Sequence, residues 1–312
     1  MRGAGTRPGG LGPGLAGQAG PPRGPRPPGG LLVLARAIRS LWGDGRARLG
    51  MLTILAFVLV AALAPVLAPY SPTNASFADS LGPSARHLLG TTGTGQDVLS
   101  QVLYGSRISL LVAMCAGTFA TLIAVTVGLL AGYLRGVVEE VLGFATNVML
   151  VIPGLPLMIV LATYVPGRGI SVIILVIVLT GWAWGARVLR SQTASLRSRD
   201  FVLAAQLSGD RTWRIVFHEI LPNMTSLVAA SFFAAATAGV LAEAGLEFLG
   251  LGNPSTVSWG TMLYWAQNTS ALLTGQWIQV FAPGLCIGLL AASLALVNFG
   301  VDSLSNPRLR ER

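Results

Sequence analysis

ISLLVAMCAGTFATLIAVTVGLLAGY, residues 108–133, holds no acidic or basic residue in 26 consecutive positions. A bilayer core about 30 Å thick needs about 20 apolar residues at about 1.5 Å rise each, so this run is long enough to cross one as a helix. Its apolarity is continuous, whereas a membrane barrel strand alternates apolar and polar over about ten residues; the span is therefore helical. Five further uncharged runs follow the same pattern, at 49–68, 141–165, 170–186, 224–242 and 278–301. The run at 170–186 is the shortest, but it is almost solid Ile, Val, Leu and Trp and sits among longer spans. These runs predict an all-α, polytopic membrane protein with six transmembrane helices.

Composition agrees. Of 312 residues, 53% are hydrophobic and 11% charged, with a mean hydropathy of +0.67, which argues against a water-soluble enzyme. The formal charge is +9, and all 21 basic residues are Arg. Without a lysine the chain cannot form a P-loop nucleotide site, so any ATP dependence must come from a partner. Cys115 and Cys286 fall inside apolar runs, and His87 and His218 are far apart with no Cys nearby, so neither a disulfide framework nor a metal site is read here. No cofactor is expected on this chain, nor any catalytic constellation, and no nucleic-acid partner is implied.

Arginine placement sets the orientation, because cytoplasmic loops retain positive charge. With both termini inside, 18 arginines are cytoplasmic and three, Arg86, Arg107 and Arg168, are external. The first 30 residues contain 11 Gly and 7 Pro and scarcely any large apolar side chain, so residues 1–35 read as a disordered cytoplasmic tail. The first apolar run starts too late and runs too long for a cleaved leader, so the first span is expected to be retained. The basic stretch 36–48 fits either an amphipathic segment on the anionic membrane face or a plain topogenic charge cluster. Residues 308–312 form a short cytoplasmic end.

Several features have two readings on residue chemistry alone. External loops are expected from Pro69 to about Tyr104 and from Glu247 to about Trp277; Trp259, Trp265 and Trp277 there suit either interfacial anchoring or a ligand. Pro153, Gly154 and Pro156 interrupt the third span, as a hinge or as a static kink. Glu243, at the outer end of the fifth span, must face protein or water, as a pathway or gate acid or as a structural acid holding the following loop. The internal loop 187–223 is built for short helices: Asp200 is placed to cap a helix over Phe201–Leu207, and Gly209 to end it. Trp213, Ile215, Val216 and Phe217 form an apolar cluster after it. That helix suits either a groove of a cytosolic protein or its own bundle.

Ala204, Ala205, Gly209, Leu221 and Pro222 match the spacing of the EAA loop of ABC importer permeases, in which two alanines, a glycine and a Leu-Pro pair recur at fixed offsets. Leu203 stands where the usual glutamate would be. HLLGTTGTGQDVLSQVLYGSRISLLVA, residues 87–113, and LAEAGLEFLGLGNPSTVSWGTML, residues 241–263, resemble segments of the C-type permease subunits of dipeptide and oligopeptide importers (DppC/OppC type). Thr92, Gln96, Glu247 and His218-Glu219 depart from that pattern. The resemblance runs from about residue 36 to Pro307. It implies the type I importer permease fold in a bacterial inner membrane. It also implies a coupling helix carrying those five positions, a homologous second permease, two ATPase subunits holding ATP and Mg, and an external solute-binding protein, with surrounding lipid.

The expected function is passage of di- or oligopeptides between two permeases, driven by ATPases pulling on the coupling helix. Nickel chelates or oligosaccharides on the same machinery are the alternative cargoes. An ion-coupled secondary transporter would need an intramembrane relay of ionisable groups, and none is evident beyond Glu243.

Overall fold

The computed structural model describes residues 42–167 and 169–305. The expectations for the tail 1–35, for residues 36–41 of the basic segment 36–48, for Arg168 and for residues 308–312 lie outside these residues.

The described chain is helical, with one isolated antiparallel bridge, Thr91 to Asp97. The helices are α1 (Gly45–Leu67), α2 (Val98–Tyr133), α3 (Val137–Val151), α4 (Gly154–Tyr164), α5 (Ile170–Gly181), α6 (Ala183–Leu196), α7 (Asp200–Leu207), α8 (Thr225–Phe248), α9 (Trp259–Asn268) and α10 (Ile278–Ser305). Between α7 and α8 run one turn over Thr212–Arg214, a π-helical turn Ile215–Ile220 and a 3-10 turn Leu221–Met224. Among the described residues, five stretches are long and apolar enough to cross a membrane, and α3 with α4 makes a sixth if that bent pair is one span.

At the centre stands α2, packed against α1, α5, α6 and α8; α10 closes the bundle against α1 and α8. Lipid tails are as apolar as the helices, so association depends on close packing of small residues. The buried face of α2 is accordingly rich in small residues, with Ala113, Ala116, Gly117, Ala120, Ala124, Gly128, Ala131 and Gly132 interspersed with Val112, Val125 and Leu129. A Cβ on Gly128 would stand 2.8 Å from the Ala186 carbonyl oxygen, and one on Gly132 would stand 2.6 Å from that of Arg190. Those two glycines let α2 and α6 touch backbone to backbone.

Short acceptor side chains cap the starts of α1, α2 and α9. Asp44 Oδ1 accepts from Arg46 N at 2.8 Å at the head of α1, and Asp97 Oδ2 accepts from Ser100 N at 2.8 Å at the head of α2. Ser258 and Thr261 form a reciprocal capping box at α9.

Several boundaries differ from the sequence reading. α2 begins ten residues before Ile108, because a helix needs a cap and backbone bonds but not an uncharged surface, and it runs through the exposed Arg107. The loop expected up to Tyr104 is thus helical from Val98. The next loop begins after Phe248, since Glu247 still belongs to α8. The fourth span continues through α6 to Leu196, interrupted only at Trp182. The third span is two helices bent by 95°. Asp200 is the first residue of α7 and not its cap; that place is taken by Arg199, which makes no side-chain capping bond.

Candidate functional site

The segment from Arg197 to Met224 joins α6 to α8 at one end of the bundle, and α7 is its outermost helix. Val202 and Ala205, three positions apart, face inward and pack with Leu129, Leu189, Ile215, Val216, Ile220 and Met224. Leu203 and Leu207, four apart, face outward; Leu207 is 90% exposed. One face of this helix is therefore held by its own bundle, and the other is uncovered.

Gly209 ends α7 in a Schellman turn. Its φ is 76°, its N–H donates to the Gln206 carbonyl at 3.1 Å, and Asp210 N–H donates to the Ala205 carbonyl at 3.1 Å. A Cβ there would meet nothing within 4 Å, so backbone conformation and not crowding is what asks for glycine. Arg214 bridges Asp210 at 3.1 Å across the following turn.

The five candidate coupling positions lie on this one segment, in unequal surroundings. Ala204 and Gly209 are exposed, Ala205 is buried, Leu221 is half-buried against the same apolar cluster, and Pro222 is exposed in the 3-10 turn. The apolar cluster expected from Trp213 to Phe217 divides: Ile215 and Val216 are buried, whereas Trp213 is exposed and lies edge-on to His218 at 5.3 Å.

Glu243 is far from this segment and fully buried between α2, α8 and α9. Its Oε2 accepts from Ser109 Oγ at 3.4 Å, and its carboxyl adjoins that of Glu247 one turn on. Glu247 in turn accepts from the Ser258 hydroxyl that caps α9. Glu243 thus sits inside a polar knot joining three helices, with no exposed surface of its own.

Sequence reasoning missed much of this end of the molecule. Trp259 is neither at an interface nor open to a ligand: it is fully buried, its Nε1 donates to the Val102 carbonyl at 3.0 Å, and it meets Phe57 edge-on. The capping box behind it, Ser258 with Thr261, was the available signal. His87 Nδ1 and Asp97 Oδ1 lie 3.0 Å apart, buried beside Tyr70 and Phe77. Gln279 Nε2 and Gln276 Nε2 reach back to the carbonyls of Thr91 and Ser80. The two glutamine contacts join residues far apart in sequence, which spacing does not reveal.

The model of the family "Binding-protein-dependent transport system inner membrane component" matches residues 124–311. The chain belongs to that family. A second model, the N-terminal transmembrane domain of oligopeptide transport permease C, matches residues 33–83 of this permease. The permease is 32% identical over 278 residues to the dipeptide transport system permease protein DppC of Bacillus subtilis, covering 88% of this chain and 85% of that protein. It is 33% identical to the oligopeptide transport system permease protein OppC of Mycobacterium bovis, covering 89% and 94%. The di/tripeptide permease DppC of Pseudomonas aeruginosa is 31% identical over 84% of the chain and 88% of its own length. Among solved structures, a chain of the MetNI methionine ABC transporter superposes with a TM-score of 0.52 at 17% identity, over 68% of the permease and 97% of that chain. The fold is that of a type I ABC importer permease, and the permease is a multi-pass inner-membrane transport component, not an enzyme.

Proposed function

We propose that this permease pairs with a homologous second permease to form the path for di- or oligopeptides, and that two ATPase subunits drive it through α7. The observation that carries the motor half of this reading is the two-faced α7: Val202 and Ala205 fasten it to the bundle, while Leu203 and Leu207 offer an apolar edge to another protein. A helix fastened on one side and gripped on the other transmits movement as a rigid body. ATP and Mg are held by the motor subunits. A solute-binding protein delivers cargo on the opposite side of the membrane, and the excess of arginine at the α7 end supports a cytoplasmic location for that end and both termini.

The peptide half of the reading rests on the relatives, whose names specify dipeptide, oligopeptide and di/tripeptide transport. The test is uptake into proteoliposomes holding this permease with its partner permease, ATPases and binding protein. ATP-dependent accumulation of a labelled dipeptide or tetrapeptide, unaffected by nickel chelates or oligosaccharides, is the expected result. Accumulation of either competitor with exclusion of peptides overturns the peptide assignment.

A further inference from the structure

The bend between α3 and α4 leaves backbone polar groups without partners in the middle of a span. Pro153 removes the donor that would reach the Met149 carbonyl, and Pro156 removes the one for the Ile152 carbonyl. Among the described residues, the carbonyls of Leu150 and Val151 and the N–H groups of Gly154 and Leu155 also have no bonded partner; backbone bonding resumes with Leu157 N–H to the Pro153 carbonyl at 3.2 Å. Residues 151–156 are all exposed on this chain.

The depth of this break follows from two polar contacts between the antiparallel α3 and α6. Arg190 bridges Glu139 at 2.9 Å, and Arg187 NH2 donates to Asn147 Oδ1 at 2.9 Å. Arg187 lies 17 residues along the apolar run that starts at Ile170, about 25 Å from its beginning. Ile152 lies five residues beyond Asn147 in the opposite direction, about 7 to 8 Å back into the membrane. The unpaired groups are therefore inside the hydrocarbon layer and not at either surface.

Lipid cannot satisfy them, and irregular backbone at that depth is tolerated only when protein covers it or water reaches it. A neighbouring apolar helix has already used its own donors internally and has few left to give. Water has donors to give, and so do the amide groups of a passing peptide. We propose that the Ile152–Pro156 break lines the water-filled route through the membrane, where its bare carbonyls and N–H groups face cargo. The link to cargo rests on the permease reading above, whereas the water contact stands without it.

The test uses the whole assembled transporter in membrane vesicles. In a chain with Cys115 and Cys286 replaced by Ala, Ile152→Cys and Leu155→Cys are treated with a charged, membrane-impermeant methanethiosulfonate, with nucleotide absent and with ATP trapped. Leu55→Cys, on an exposed face of the unbroken helix α1, is the control. Labelling of both positions at least tenfold faster than the control in one nucleotide state is expected. Labelling no faster than the control in every state overturns the proposal. Deuterium exchange on the unmutated chain gives the same answer independently of the variants: the Gly154 and Leu155 amides should exchange within seconds, and protection lasting hours overturns it. Rapid labelling in a transporter that moves no peptide would remove the cargo assignment and leave the aqueous break in place.

Discussion

Gln206 Nε2 donates to the Tyr133 hydroxyl at 3.0 Å, which fastens the last turn of α7 to the last residue of α2, the helix at the centre of the bundle. Arg197 adds a second tie, donating to the Tyr133 carbonyl at 3.3 Å. A displacement of α7 is thus passed to α2 through polar contacts as well as through Val202 and Ala205. Tyr133→Phe removes one partly exposed hydrogen bond worth about 0.5–1.5 kcal/mol. The expected outcome is a roughly two- to tenfold fall in peptide moved per ATP hydrolysed, with assembly intact; an unchanged ratio would show that the apolar contacts carry the coupling alone.

Gly209 should tolerate substitution in the order set by backbone cost. At φ 76° with open space around its Cβ, Asn is tolerated best, Ala costs about 1–2 kcal/mol and Val costs more. Co-purification of the ATPases with each variant, read beside the thermal midpoint of the complex, checks the order. Equal behaviour of Asn and Val would mean that the turn does not position α7.

Glu243 is enclosed by α2, α8 and α9 with no surface open to a path. Glu243→Gln is expected to lower the thermal midpoint of the detergent-solubilised complex while uptake per assembled complex holds. A normal midpoint with uptake lost would make it a pathway acid. Ser258→Ala should be more damaging, because it removes the cap of α9, about 0.5–2 kcal/mol, together with a partner of the buried Glu247 carboxyl, about 1–3 kcal/mol.

The α2–α6 contact should be intolerant of bulk. Gly132→Ala drives a Cβ to 2.6 Å from the Arg190 carbonyl and should cost about 1–3 kcal/mol, whereas Gly245→Ala in α8 meets nothing within 4 Å and should stabilise its helix by about 0.5–1 kcal/mol. Thermal midpoints that move in the same direction for the two variants would contradict this packing.

Long apolar runs made the helical membrane class legible, because a span has only one means of satisfying its backbone in lipid. The end of α7 was equally plain at Gly209, because a left-handed turn favours glycine over nearly every other residue. Charge-free runs misplaced the head of α2, since Asp97 caps the helix well before the uncharged stretch begins and Arg107 is carried on an exposed face. Trp259 misled for a related reason: its residue type suits an interface, and only the packing of Phe57 and Gly105 against it reveals a core position. The knot that ties Glu243 and Glu247 to Ser109 and Ser258 depends on which helices meet, a relationship that one-dimensional spacing does not carry. The 95° bend at Pro153 was foreshadowed by its prolines, which remove the donors for the Met149 and Ile152 carbonyls, whereas its size was not legible in the sequence.

The central claim is that the outward edge of α7 is gripped by a nucleotide-driven motor. A photo-crosslinking amino acid at position 207, placed in the complete transporter in native membranes, tests it most directly. The account predicts an adduct between this chain and an ATPase subunit, formed efficiently in wild-type surroundings and abolished, together with ATP-driven uptake, by Leu203→Asp. Uptake that persists with no ATPase present, or an exposed position 207 that captures no ATPase in any nucleotide state, would contradict it.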